Sequence, residues 1–192
     1  MERVTVYCAS SEQVHEDYFK AATRLGELLA EAGHGVVYGG GRRGLMGAVA
    51  DGALSRGGRV EGVLPRFMYD LEWGHTGLTD LHLVNDLHER KRLMVDRADA
   101  IVALPGGCGT FEELFEAITW KRLGIYTKPI IIANIRNYYD DCVALLERSV
   151  KENFMREEHG KMWSVVDSID DVLSAIESAH PWDENARNFA AV

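Results

Sequence analysis

Residues Ile101 to Lys121, IVALPGGCGTFEELFEAITWK, pass from an apolar strand-like run through a glycine-rich turn into an amphipathic helix. In a parallel α/β protein such a junction holds phosphate. Glycine lets backbone N–H groups approach a ligand closely, and the helix start aims unpaired N–H groups and a positive dipole end at the same point. Thr110 and Glu113 stand at this start, and a carboxylate beside an anion site needs a chemical reason. T-x-x-E is one: it reads as a capping box, with Thr110 at the N-cap and Glu113 reaching back to the cap amide. The helical period supplies another. Phe111, Leu114, Phe115 and Ile118 form the apolar stripe, which leaves Glu113 on the opposite side of the first turn, next to whatever the loop binds.

Two further stretches have suitable chemistry. YGGGRRGLMG follows a strand and precedes a helix as a nucleotide-binding loop does, but it lacks the G-x-G-x-x-G spacing, an acidic residue about 20 positions on, and the Lys-Ser/Thr pair of a P-loop. In DLHERKRLM, from Asp86 to Met94, helical spacing sets Leu87, Met94 and Ala98 on one stripe with Arg90 and Lys91 flanking it. Cations beside an apolar face either snorkel or find anions, and Arg holds a phosphate bidentately. Two glycine-rich helix starts plus an Arg/Lys pair point to one phosphate-bearing ligand, a nucleoside monophosphate or a sugar phosphate.

The elements that must position these groups alternate. Strands are expected at Val4–Ala9, Gly35–Tyr38, Val60–Leu64, Leu81–Val84, Ala100–Leu104, Pro129–Ala133 and, as an edge, Trp163–Val166. Helices are expected at Tyr18–Ala32, Gly44–Ser55, Asp86–Ala98, Thr110–Leu123, Tyr138–Val150 and Ile169–Ala179. This is the order of a parallel sheet covered on both faces. Periodicity fails between Pro65 and Asp80, a candidate active-site loop. Residues 1–180 read as one nucleotide-binding α/β domain and residues 181–192 as a C-terminal tail.

With 192 residues, 46% of them hydrophobic and 27% charged, the chain has the size and composition of one globular domain. The net charge of −9 argues against a broad nucleic-acid surface. No apolar run is long enough to span a membrane, and the N-terminal stretch lacks the pattern of a signal peptide, so a cytoplasmic location is expected. Cys8, Cys108 and Cys142 form no C-x-x-C pair, and neither a disulfide framework nor a metal site is expected.

GGGRRGLMG, HERK and PGGCGTFEE, in this order and spacing, resemble the LOG family, the cytokinin riboside 5'-monophosphate phosphoribohydrolases, often mislabelled lysine decarboxylases. The resemblance runs from about Val4 to Asp170. It implies a Rossmann-like doubly wound parallel sheet, a homodimer, no cofactor, and hydrolysis of the N-glycosidic bond of an N6-modified adenosine 5'-monophosphate to free base and ribose 5-phosphate. The catalytic carboxylate falls on Glu113 and the catalytic arginine on Arg90. Substrate contacts fall on Lys91, on Gly106, Gly107, Cys108, Gly109, Thr110 and Glu112 of the loop and helix start, on Glu72 and Thr119, and on Gly40 and Gly41 of the first turn. Leu87 departs from the Met common before the family's His, and Cys108 fills a variable slot. A pyridoxal phosphate decarboxylase would need a Schiff-base lysine, and nothing in the sequence marks one.

Cleaving a ribosyl C–N bond builds positive charge on the sugar. Glu113 is therefore expected to stabilise that charge and to orient or deprotonate water, with Arg90 positioning the ligand and keeping Glu113 ionised. The alternatives are a general AMP nucleosidase and a nucleotide-binding module without turnover.

Overall fold

The computed structural model describes residues 2–71 and 73–188. Seven strands form one sheet in the order β4-β3-β2-β1-β5-β6-β7, with every pairing parallel. They are β1 (Arg3–Tyr7), β2 (Gly35–Tyr38), β3 (Val60–Pro65), β4 (Asp80–Val84), β5 (Ala100–Ala103), β6 (Ile130–Ala133) and β7 (Ser164–Val166). The helices are α1 (Glu16–Glu31), α2 (Gly44–Ser55), α3 (Arg66–Asp70), α4 (Leu87–Asp96), α5 (Cys108–Arg122), α6 (Asp140–Lys151) and α7 (Val172–Glu177).

Buried strands alternate their side chains between two cores. On one face Val4, Val6, Val36 and Val102 meet Leu25 of α1, Val49 of α2 and Ile176 of α7. On the other, Val37, Ile101, Ala103 and Ile132 meet Met94 of α4, Leu114 of α5 and Leu146 of α6. Apolar side chains on both faces explain the near-continuous hydrophobic strands in the sequence. The expected doubly wound sheet is therefore the observed one.

Strand order reverses between β1 and β5, where Val4 pairs Ala100 and Tyr7 pairs Ala103. At such a switch point the connections leave in opposite directions, so a crevice opens beyond the carboxyl ends of the strands. The segment that was aperiodic in sequence forms the short α3 and then a clasp. Arg42 donates its backbone N–H to Trp73, His75 donates to Gly40, and Gly41 and Gly74 form an antiparallel bridge.

Two expected boundaries change the chemistry. α5 begins at Cys108 with Gly107 at the N-cap and no side-chain cap, so Thr110 lies inside the first turn and the T-x-x-E capping box does not form. α4 begins at Leu87 behind Asp86, whose carboxylate accepts from the Glu89 N–H at 2.8 Å. Residues 181–188 lie against the end of α5: Trp182 donates its indole N–H to the Lys121 carbonyl at 2.6 Å, and Ala186 is fully buried.

Candidate active site

A cavity of about 570 Å³ lies at the switch point, within the range of small-molecule sites. Its floor is the end of β1 with Cys8, Ala9, Ser10 and Ser11; the start of α5, from Gly107 to Thr110, closes one side, and Gly39, Gly41, Arg42 and Arg43 close another. α2 and α5, which point at this cavity, have no side-chain N-cap, whereas α1 is capped by His15 and α4 by Asp86. The α5 start leaves its first amides free for an anion, whereas at α2 the Met46 N–H already donates to the Ala9 carbonyl at 3.2 Å.

The α5 turn is held from behind. Tyr138 donates its hydroxyl to the Gly106 carbonyl at 2.6 Å, and Tyr139 donates to that of Leu104 at 2.8 Å. With its carbonyl turned back to Tyr138, Gly106 lies outside the cavity lining. It must be glycine, because a Cβ there would run into the Thr110 side chain.

Arg90 and Glu113 meet across the cavity. The Arg90 Nε donates to Val63 at 3.1 Å and one terminal nitrogen to Gly39 at 2.8 Å; both acceptors are carbonyls near strand ends. Its other terminal nitrogen lies 4.0 Å from the Glu113 carboxylate, with the two side chains only 12% and 13% exposed. Gly39 makes room for this, since a Cβ there would strike the guanidinium. Burial raises the Glu113 pKa to about 7, with Arg90 pulling the other way and Glu112 adding to the rise. Arg90 thus favours the ionised carboxylate, as expected, but desolvation outweighs the single cation.

The remaining sequence candidates separate into two groups. Gly41, Gly107, Cys108, Gly109 and Thr110 line the cavity. Gly40 does not; at φ 73° it turns the chain, and its carbonyl takes the His75 N–H. Lys91 is buried away from the cavity, ion-paired to Glu112 and, at 3.2 Å, to Glu116. Two expected substrate contacts, Lys91 and Glu112, therefore satisfy each other between α4 and α5. Thr119 is exposed outside the cavity and donates its hydroxyl to the Phe115 carbonyl at 2.8 Å. Glu72 lies outside the described residues.

Sequence reasoning did not assign Ser10, Ser11, Met46, Met68 or Trp73 to the site, yet all five line the cavity. The position of Ser10 and Ser11 just past the first strand was the available signal, because that loop opens at the switch point. Among the described residues no group of three His, Cys, Asp or Glu side chains could hold a metal, and no helix is long and apolar enough to cross a membrane.

A protein-family model described as "Possible lysine decarboxylase" matches residues 46–176. The cytokinin riboside 5'-monophosphate phosphoribohydrolase of Rhodococcoides fascians is 40% identical over 176 residues, covering 91% of this chain and 89% of its own. The enzyme of the same name, LOG7, from Arabidopsis thaliana is 42% identical over 155 residues, covering 80% and 71%. Among solved structures, the molybdenum cofactor carrier protein of Chlamydomonas reinhardtii matches with a TM-score of 0.72 at 18% identity, covering 93% of this chain and 97% of its own; this likeness concerns the fold.

Proposed function

This chain belongs to the LOG family of cytokinin riboside 5'-monophosphate phosphoribohydrolases, and from that premise we propose that it hydrolyses the N-glycosidic bond of N6-modified adenosine 5'-monophosphates. The products are the free adenine base and ribose 5-phosphate. The observation that carries this reading is the Arg90–Glu113 pair, set beside two uncapped helix starts.

The 5'-phosphate binds the free amides at the start of α5, beside Thr110. The ribose then lies against the Arg90–Glu113 pair, on the cavity side of both groups. As the bond from the sugar to the base breaks, positive charge grows on the ring, and the Glu113 carboxylate faces it. The same carboxylate takes a proton from the attacking water as its oxygen bonds to the sugar carbon, and a pKa of about 7 suits a general base at neutral pH. The base departs with the C–N electron pair and is protonated from solvent. Arg90 stays charged and does not transfer a proton. Its two carbonyl contacts fix the guanidinium, so it orients substrate and tempers the cost of a buried carboxylate. A decarboxylase built on a Schiff base finds no support, because the lining residues include no lysine.

The reading extends to a cytoplasmic homodimer. Three free cysteines suit a reducing compartment, and Leu123 and Ile125, exposed at the end of α5, offer apolar surface to a second copy.

The test is release of free base from AMP, from N6-isopentenyladenosine 5'-monophosphate and from the matching nucleoside. Product from the N6-modified monophosphate but not from the nucleoside is expected. Faster turnover of AMP would make the enzyme a general AMP nucleosidase, and binding of all monophosphates without product would reduce it to a binding module.

A further inference from the structure

The cavity has a direction. Along the sheet from β5 toward β3 it passes the α5 amides, then Glu113 and Arg90, and then reaches an apolar end formed by Leu64, Met68, Met46 and Trp73. The first two stations take a phosphate and a sugar, so the third faces whatever the sugar carries. Trp73 is half exposed, at 49%, as are Phe67 and Tyr69 on α3, but of these three aromatic residues Trp73 is the one that lines the cavity. Its backbone is nevertheless held at both ends: its N–H donates to Met68 at 3.2 Å, and its carbonyl accepts from Arg42 at 3.1 Å. A large flat ring is thus presented to the cavity on backbone fixed to the glycine turn.

We propose that Trp73 is the stacking platform for the substrate's nucleobase and a determinant of how strongly the base contributes to binding. The inference rests on the adenine nucleotide reading above and adds a residue to it. Indole stacks on the π-face of any base, so the contribution depends on having a planar base and not on the phosphate or ribose. The thioethers of Met46 and Met68 and the side chain of Leu64 supply the apolar surround in which such stacking is effective.

The experiment uses the full chain carrying Glu113→Gln, so that AMP binds without being consumed, and compares it with the same chain carrying Trp73→Ala or Trp73→Phe as well. Dissociation constants are measured for AMP and for ribose 5-phosphate, which lacks the base. Loss of stacking is expected to weaken AMP roughly 5- to 100-fold and to leave ribose 5-phosphate within about twofold. Trp73→Phe is expected to recover most of the AMP affinity. Equal weakening of both ligands by Trp73→Ala would show a collapsed loop and overturn the proposal. Unchanged AMP affinity would overturn it too, as would a parent that binds AMP no better than ribose 5-phosphate. Failure of the wild-type chain to release base would instead count against the hydrolase reading, because the binding comparison does not require turnover.

Discussion

Arg90 reaches Glu113 with only one arm of its guanidinium, 4.0 Å away, while its Nε and other terminal nitrogen donate to the carbonyls of Val63 and Gly39. The cation is therefore placed by the sheet and not by the carboxylate. Removing Glu113 leaves it where it is.

That separation gives the first prediction. Glu113→Gln keeps the shape of the site and removes the base, so base release should fall at least about 100-fold while monophosphate affinity stays within a few-fold. In the wild type, kcat/KM should rise with pH through an apparent pKa near 7, following ionisation of Glu113. Initial rates across pH 5 to 9 check the profile.

Stability should move the opposite way. The folded pKa of Glu113, about 7, lies above its ordinary value of 4.5. As pH rises from 4.5 to 7 the unfolded chain gives up this proton first, so the wild type loses stability over that window. Glu113→Gln has no proton to lose. It should be more stable than wild type above pH 7, by up to about 3 kcal/mol, with the gap closing toward pH 4.5. Urea unfolding at pH 5 and pH 8 tests the sign.

Gly39→Ala places a methyl group against the Arg90 guanidinium. The cation must shift off its carbonyls, and kcat/KM should fall about 10- to 100-fold. The same variant with Arg90→Ala should lose little more than Arg90→Ala alone, because the methyl then meets only the flexible Met46 side chain, with Sδ at 3.2 Å. A double-mutant cycle on kcat/KM reads this coupling.

Tyr138→Phe removes the hydroxyl that holds the Gly106 carbonyl. The loop loses a bond worth about 1 kcal/mol, and KM for the monophosphate should rise about fivefold with kcat less affected. An unchanged KM would show that Gly106 needs no brace.

Lys121 is 1% exposed, with the Lys128 carbonyl accepting from its ammonium group at 2.8 Å, and burial lowers its pKa to about 8 from 10.5. Below pH 8 the fold carries this cost in full, and it fades as pH rises toward 10.5. Lys121→Met should therefore stabilise the protein at pH 7 by up to about 3 kcal/mol, with a smaller gain at pH 10. Thermal unfolding at the two pH values decides it.

Much of this was legible in the chain. Continuous apolar strands alternating with helical periods dictate a two-faced parallel sheet, and two glycine turns at strand-to-helix junctions locate the cavity. Arg90 and Glu113 can be singled out because their motifs are specific, and the fold brings the two side chains to 4.0 Å. That Lys91 and Glu112 pair with each other outside the cavity lining was not legible, because spacing puts a cation on a helix side but does not reveal which neighbouring helix brings a carboxylate to it. The start of α5 was misread for a related reason: T-x-x-E fits a capping box, yet Gly107 begins the helix and leaves the cap to a ligand. Trp73 lies in the stretch expected to be an active-site loop, but an aperiodic loop has no repeating pattern from which its tertiary partners can be read.

The clasp between Gly41 and Gly74 divides the site into parts that can vary separately. Arg90 and Glu113 hang from α4 and α5 and from carbonyls near strand ends, whereas Met68 and Trp73 of the apolar end are borne by α3 and the loop fastened to the glycine turn. Side chains on that fastened loop can be exchanged without touching a bond that holds the reacting pair. The loop is fastened through Gly40, Gly41 and Arg42, next to the Gly39 carbonyl that holds Arg90, so a library confined to the side chains of Met68 and Trp73 should yield altered base selectivity among variants that still cleave.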